Sequence, residues 1–228
     1  MEKSKIVMGI LAAATLGACQ SSKVKISGRL VGADARQVYI EQLSAGGKAP
    51  LIDSVSLDDA GNYRFELKNV PSTPSLYTIS YNGESVPVLI EGGDRLTINS
   101  AGSFARNYTV EGSLESELLQ KFYKRYAEGV MDMNDIVARF TASDVSEAER
   151  DTLTRRYTEL YRDIKRDQLR FIVENKDKIA AVYALYQRLP GDAYLFNGDS
   201  DLIYYRTVAE GIEQTYPESP YLPILRSQ

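Results

Sequence analysis

Histidine and tryptophan are absent from this sequence of 228 residues, and cysteine occurs once, at Cys19. Histidine is the most common general base and metal ligand in proteins, so its absence removes the usual designs of acid–base and metal sites. The absence of tryptophan weakens a sugar-stacking role. A single cysteine allows neither a disulfide within the chain nor a C-x-x-C redox pair. We therefore expect no cofactor and no bound metal.

An excess of basic residues is also missing. The sequence has 27 Lys and Arg against 31 Asp and Glu, which gives a formal net charge of −4 at pH 7. Proteins that bind nucleic acid usually present a basic face to the phosphates. The mild acidity therefore predicts that nucleic acid is not a partner.

A long hydrophobic run is the third absence. The apolar stretch at 6–14 is shorter than the roughly 20 residues that cross a bilayer. It follows a charged start and precedes small residues, an order typical of a secretory signal. Leu16-Gly17-Ala18-Cys19 resembles the lipobox of bacterial lipoproteins, in which cleavage falls before the cysteine and lipid is attached to its thiol. An ordinary signal peptide with a chance cysteine is the alternative.

The predicted lipoprotein signal peptide covers residues 1–18 and is cleaved between Ala18 and Cys19. Residues 19–23 then form a lipidated tether, and the mature charge becomes −5 because the cleaved segment holds two lysines and one glutamate. Each buried lipid CH₂ contributes about 0.8 kcal/mol, and more than one chain is needed for stable anchoring. The membrane is therefore expected to be a partner through the N-terminal lipid. Because acidic residues do not follow Cys19 directly, resemblance to lipoprotein sorting patterns favours the outer membrane, facing the periplasm.

Apolar and polar residues alternate from Val24 to about Val110, which predicts strands with one buried face. Asn82-Gly83 is a strong signal for a tight hairpin. Pro87 cannot donate to a strand ladder, so we expect its strand at a sheet edge or at a bulge. Several short strands at this spacing predict an antiparallel β-sandwich over residues 24–112.

Beyond the sandwich the apolar period becomes helical. Ser113 is predicted to cap a helix that carries an apolar stripe, Leu114, Leu118, Phe122 and Tyr126. Asp144-Val145-Ser146-Glu147 has the form of a capping box, with Asp144 as the cap of a second long helix. Further helices are predicted from Ile179 to Arg188 and from Leu202 to Thr215. The fold class is thus α+β, with a helical bundle over residues 113–228.

The second long helix is predicted to bury a stripe of its own. The stripe comprises Leu153, Tyr157, Leu160, Ile164 and Phe171. Gln168 is the only polar break in it. The opposite face is rich in arginine and lysine, which we interpret as a solvated face.

Four segments carry a family resemblance. VKISGRLVGADARQVYIEQL, LDDAGNYRFEL and EGGDRLTI resemble the N-terminal domain of unknown function of many bacterial envelope lipoproteins, and ENKDKIAAVYALYQRL resembles the helical segment that follows it. The resemblance spans Val24 to about Leu225. In longer members this arrangement leads into a thioredoxin-like thiol–disulfide oxidoreductase domain. This sequence stops where that domain would begin and has no C-x-x-C, so the resemblance implies no catalytic residue here.

The segment Asn197-Gly198-Asp199-Ser200-Asp201 places oxygen atoms at alternate positions, as a calcium loop does. The calcium-loop pattern requires glycine at the sixth position and glutamate at the twelfth, where Leu202 and Val208 stand. We therefore interpret the segment as a loop in which Asp199 or Ser200 caps the next helix.

Tyrosine is the one compositional excess, with 16 residues. Four tyrosines crowd the final stretch: Tyr204, Tyr205, Tyr216 and Tyr221. Tyrosine is favoured at interfaces because its ring is apolar while its hydroxyl can stay wet. We expect a partner surface here, for a second copy or a separate envelope protein, with at least two rings exposed and adjacent. The alternative is that the rings complete the helical bundle.

These features predict a non-catalytic envelope lipoprotein that presents a binding or scaffold surface near a membrane. One alternative is an accessory to thiol–disulfide exchange that binds a separate thioredoxin-like protein. Another is a hydrolase that uses carboxylates or a serine. Asp58-Asp59 is interpreted as hairpin chemistry rather than as a catalytic pair.

Overall fold

The structure, a computed structural model, describes residues 23–43, 50–191 and 193–228. The predicted cleavage site at Ala18 and lipidation site at Cys19 lie outside the described residues. Within them, the first half of the chain forms a β-sandwich and the second half is helical. This arrangement confirms the predicted α+β class.

Two four-stranded sheets build the sandwich. The strands are β1 Val24–Val31, β2 Gln37–Gln42, β3 Leu51–Ser56, β4 Asn62–Leu67, β5 Ser75–Tyr81, β6 Glu84–Ile90, β7 Arg95–Ala101 and β8 Thr109–Glu111. The sheets have the orders β4-β1-β7-β8 and β3-β2-β5-β6. β1 and β7 pair in parallel in the middle of the first sheet, because the chain enters β7 from β6 of the opposite sheet rather than through a hairpin. The described sandwich is otherwise antiparallel.

Helices make up most of the rest of the described chain. They are α1 Phe104–Asn107, α2 Leu114–Phe140, α3 Glu147–Glu174, α4 Ile179–Leu185, α5 Leu202–Thr215 and α6 Leu222–Arg226. The long helices α2 and α3 run antiparallel and are linked by two ion pairs, Arg139–Glu149 at their connected ends and Arg125–Asp167 further along. A short ladder of β9 Arg188–Leu189 and β10 Ala193–Tyr194 follows α4. Of the helices described, none is both long and apolar enough to cross a membrane.

Local signals in the sandwich are confirmed. Asn82 and Gly83 adopt φ angles of 49° and 78°, the left-handed conformation that a two-residue hairpin requires, and they join β5 to β6. Pro87 lies on β6, which is an edge strand. An edge strand needs ladder bonds on one side only, so the missing N–H is tolerated there.

The start of α3 differs from the prediction. Its N-cap is Ser146, whose Oγ accepts a hydrogen bond from the Glu149 amide at 3.3 Å. Asp144 lies two residues earlier and instead forms an ion pair with Arg139 at 2.8 Å. The capping pattern with Ser146 and Glu149 three residues apart therefore prevails over the one that begins at Asp144.

Two further expectations about the helices are corrected. Leu114 is 63% exposed, because it begins α2 on the solvent side, and Leu119 is fully buried instead. α4 ends at Leu185 rather than at Arg188, because Arg188 pairs with Tyr194 across the β9–β10 ladder. The bounds predicted for α5 are confirmed.

The first turn of α2 joins the sandwich to the helices. Ser116 Oγ donates to the Leu89 carbonyl at 2.5 Å and accepts from the Leu89 amide at 3.0 Å, so the helix covers the open edge of β6. The Glu115 carboxylate accepts from the amides of Ile179 and Ala180, at the start of α4. The Leu89 side chain packs with the helical core rather than with the sandwich core.

Candidate functional site

A cleft of about 440 Å³ lies where the sandwich meets the helices. Its sandwich wall is Leu76 on β5 and Leu89 on β6, which face each other across the ladder, together with Leu43 just after β2. The helical wall is made of Ile179, Val182, Tyr183, Tyr186, Gln187, Arg188, Tyr194, Tyr221 and Ile224. The cleft is thus mainly apolar, with four tyrosines around it. We call it the tyrosine cleft.

The sandwich wall follows from strand alternation. In β5, Tyr77, Ile79 and Tyr81 point into the sandwich core, so Leu76 points to the other side of the sheet. β6 is buried on both faces from Val86 to Ile90, because the helices cover its outer side. The outer face of this sheet therefore becomes the floor of the cleft.

The tyrosine hydroxyls tie the cleft together. Tyr221 Oη accepts a hydrogen bond from the Leu76 amide at 3.0 Å, which fixes the start of α6 to the sheet. Tyr186 Oη donates to the Ile224 carbonyl at 3.2 Å, which fixes α6 to α4. The Tyr186 ring also packs edge-on against Tyr205 and Tyr194, with centroids 5.5 and 6.5 Å apart. The walls are therefore held by contacts among themselves before any ligand binds.

Arg188 and Tyr194 form the rim. The Arg188 guanidinium lies 4.2 Å from the centroid of the Tyr194 ring and donates to its hydroxyl. The two residues face each other in the β9–β10 ladder. Tyr194 remains 39% exposed. A cation and an aromatic face thus stand together at the mouth of an apolar cleft.

The hydroxyls inside the cleft are neutral. Burial raises the pKa of Tyr183, Tyr186 and Tyr221 above the ordinary tyrosine value of 10. They stay protonated at physiological pH and offer hydroxyl dipoles rather than negative charge. The cleft can therefore hold an apolar ligand and hydrogen-bond its polar groups.

The predicted partner surface is mostly internal. Tyr205 is 4% exposed and donates to the carbonyl of Phe196 at 3.0 Å. Tyr204 is half-buried against the Phe196 ring, Tyr216 is half-buried beside Glu115, and Tyr221 lines the tyrosine cleft. The expectation that at least two of these rings are exposed is wrong, because α5 and α6 fold back onto the other helices. A partner surface at this end of the chain stays a prediction.

Tyr183, Tyr186 and Tyr194 lie outside the predicted tyrosine set. Tyr183 and Tyr186 stand three residues apart, a spacing that puts two helical side chains on one face. The spacing could therefore have predicted that Tyr183 and Tyr186 lie on the same side of α4. Nothing local in the sequence indicates that Tyr194 folds back beside them.

The calcium-like segment and Asp58 have structural roles. Asp201 is 6% exposed, pairs with Lys165 at 2.9 Å, and is the N-cap of α5 in place of Asp199 or Ser200, which precede it in a 3₁₀ turn. Asp58 accepts from the amides two and four residues ahead, at 2.9 and 2.8 Å, so it stabilises a turn, as its sequence context predicted. The turn is not a hairpin, because it connects β3 to β4, which belong to opposite sheets. Within the described ranges, no three Asp, Glu or Cys side chains group as metal ligands would.

Comparison with known proteins does not identify a family for this chain. No protein-family model matches the chain, and no curated protein matches it. Among solved structures, an (S)-allantoin synthase is 12% identical with a TM-score of 0.30, over 41% of this chain and 45% of that one. Transthyretin from Sparus aurata is 13% identical with a TM-score of 0.30, over 40% of this chain and 95% of that one. This chain thus spans less than half the length of the allantoin synthase.

Proposed function

We propose that this chain is an envelope lipoprotein, anchored through Cys19, whose folded part is a non-catalytic binding module for an apolar ligand. The tyrosine cleft is the observation that carries the proposal. Ligand pockets usually enclose roughly 300–1,000 Å³, are mostly apolar, and often lie between structural units. The tyrosine cleft matches each of these features.

The rim favours a ligand with an anionic or polar end. Arg188 is the basic residue that lines the cleft, and the neutral hydroxyls further in cannot repel an anion. An apolar body would contact Leu76, Leu89 and Ile224, and its polar end would lie near Arg188. An amphipathic molecule with a negative head group is therefore the ligand class that we propose.

The proposed anchor would keep the cleft close to a membrane. Cys19 to Lys23 span at most about 18 Å when fully extended, and β1 begins at Val24. We place the protein on the periplasmic face of the outer membrane, in line with the residues that follow Cys19. The short tether would thus hold a site for an amphipathic ligand close to the membrane.

The test uses the unlipidated mature chain, which starts at residue 19 with Cys19→Ser and retains every described residue. The probe is 1-anilinonaphthalene-8-sulfonate, an apolar ring system with an anionic head. Ile224→Trp places an indole inside the cleft, where it occupies volume that the probe needs. We therefore expect the affinity for the probe to fall about tenfold.

Ile203→Trp is the matched control, because Ile203 is 56% exposed and does not line the cleft. It should leave the affinity unchanged. Equal affinities in the two variants, with both shown to be folded by thermal unfolding, would contradict the proposed site.

A further inference from the structure

A second cavity lies between the long helices α2 and α3. It encloses about 290 Å³ and shares no lining residue with the tyrosine cleft. Phe122 and Tyr126 from α2 and Phe171 from α3 form an aromatic end. The Phe122 ring lies 4.9 Å from the Phe171 ring and is stacked on the Tyr126 ring at 5.8 Å, measured between centroids. The cavity can therefore hold one more ring.

Gln168, in the wall of this cavity, has an unused and fully buried hydrogen-bond acceptor. It is the polar break in the apolar stripe of α3, lines the cavity, and is only 2% exposed. Its Nε2 donates to the Ala184 carbonyl, which fixes the orientation of the amide. Its Oε1 has no hydrogen-bond partner in the described structure. A buried acceptor is normally paired, so the unpaired Oε1 indicates that a bound ligand supplies the donor.

The other end of the cavity is acidic. Glu128 and Asp132 stand one turn apart on α2, with Asp163 on the facing helix. Asp163 pairs with Arg166 at 2.8 Å, whereas neither Glu128 nor Asp132 has an ion pair within the described ranges. Two like charges four residues apart weaken an isolated helix, so they favour a cation between them.

The basic residues of the cavity lie toward the aromatic end. Lys121 and Arg125 line it there, and Arg125 pairs with Asp167 across the two helices at 3.2 Å. The charge of Arg125 is therefore already balanced. The acidic end keeps an excess of negative charge.

We infer that this cavity binds an apolar organic cation, an aromatic ring linked by a short chain to a primary ammonium group. The ring would lie among Phe122, Tyr126 and Phe171. The ammonium would donate to Gln168 Oε1 and be attracted by Glu128 and Asp132. An ammonium supplies three donors and one positive charge, which this set of acceptors lacks.

The test measures binding to the mature Cys19→Ser chain by calorimetry at low salt. Three probes share a phenyl ring: 2-phenylethylamine is cationic, 2-phenylethanol is neutral, and 3-phenylpropanoate is anionic. We expect the amine to bind about tenfold more tightly than the alcohol, as for one charge-assisted contact, and the acid to show no measurable binding. Equal affinities for amine and alcohol would overturn the inference.

Variants of the acidic end give a second test. Glu128→Gln with Asp132→Asn should weaken amine binding about fivefold and leave alcohol binding unchanged, as for exposed charge pairs. Both residues are exposed, so the double variant should remain folded. Asp135→Asn, an exposed acid on α2 outside the cavity, is the control and should change nothing. Full amine affinity in the double variant would refute the role of these acids.

The location can be tested separately from the tyrosine cleft. The amine should shift the methyl resonances of Ile164 and Leu160, which line the cavity, and leave Ile224 unmoved. Ile224→Trp, which blocks the tyrosine cleft, should leave amine affinity intact. Shifts at Ile224, or loss of amine binding in Ile224→Trp, would show that the amine occupies the other site.

Discussion

Glu115 is a buried carboxylate that joins three parts of the fold. Its two oxygens accept from the amides of Ile179 and Ala180 at 3.0 and 2.9 Å, and from the Tyr216 hydroxyl at 3.5 Å. It is 5% exposed. Burying a charge is costly unless it is hydrogen-bonded, and the free amides at a helix start provide such bonds. One side chain of α2 therefore completes the start of α4.

Glu115→Ala should destabilise the protein. The substitution leaves two buried amides without an acceptor, and hydrogen bonds to a charged group contribute about 1.5–3 kcal/mol. We expect the melting temperature to fall by roughly 3–12 °C for a chain of this size. Glu128→Ala, at an exposed glutamate on the same helix, should change it little. A similar fall in both variants would contradict this role.

The same residue predicts a pH dependence. Burial raises the pKa of Glu115, although the bonds from Ala180 and Ile179 act against the rise, and burial also raises the pKa of nearby Glu91 and Asp94. A carboxyl with a higher pKa in the folded state binds its proton more tightly there. Its contribution to stability is full below the unfolded pKa and decreases as pH rises toward the folded pKa.

We therefore expect the free energy of unfolding of the unmodified protein, relative to Glu115→Gln, to decrease as pH rises above about 4.5, the ordinary glutamate value. Glutamine has a similar shape but does not titrate. Chemical denaturation between pH 4 and 7 measures the difference. A constant or rising difference would show that the pKa of Glu115 is not raised.

At the scale of elements, α5 packs unusually close to the turn between α3 and α4. A Cβ added at Gly211 would lie 2.5 Å from the Lys176 carbonyl oxygen and 2.9 Å from its carbon. Glycine in a helix interior costs about 1 kcal/mol relative to alanine. Close backbone approach, rather than helix propensity, therefore accounts for glycine at this position.

Gly211→Ala should destabilise the protein although alanine is the better helix former. Overpacking typically costs about 1–3 kcal/mol, and here the clash is with backbone that cannot rotate away. Glu210→Ala, at the exposed position next to it, should be neutral or slightly stabilising. Thermal unfolding compares the two. A gain in stability for Gly211→Ala would show that α5 can move away without cost.

At the scale of the whole molecule, residues of the helices form hydrogen bonds directly to strands of the sandwich. Ser116 bonds to both backbone groups of Leu89, and Tyr221 bonds to Leu76. Leu89 belongs to a strand of the sandwich, but its side chain packs in the helical core. We expect one cooperative urea transition, with the same midpoint by far-ultraviolet circular dichroism, which reports helix, and by the amide resonance of Ile40 in the sandwich. Two separate midpoints would indicate independent domains.

Anchoring is also a property of the whole molecule. Cys19→Ser should abolish incorporation of an alkyne-labelled fatty acid and release the protein from membranes on fractionation, because the thiol carries the proposed lipid. Ser22→Ala should retain both the label and the membrane association. Continued labelling of the Cys19→Ser variant would exclude lipid attachment at this residue.

The sequence by itself determined the class of fold and much of its local structure. Strand alternation, the Asn82-Gly83 turn, the edge position of Pro87 and the bounds of α5 depend on residues close in sequence, so local pattern was sufficient. It missed Ser146 as the cap of α3 because two capping patterns overlap there.

The tertiary structure alone decided the two proposed sites. Tyr221 and Leu76 are 145 residues apart in sequence, and Glu115 and Ile179 are 64 apart, yet both pairs are hydrogen-bonded. A tyrosine spacing is compatible with an exposed surface or a buried one, and only the elements packed over it determine which occurs. Burial and cavities depend on contacts between distant segments, and a sequence period specifies which face of a helix is apolar but not what covers it.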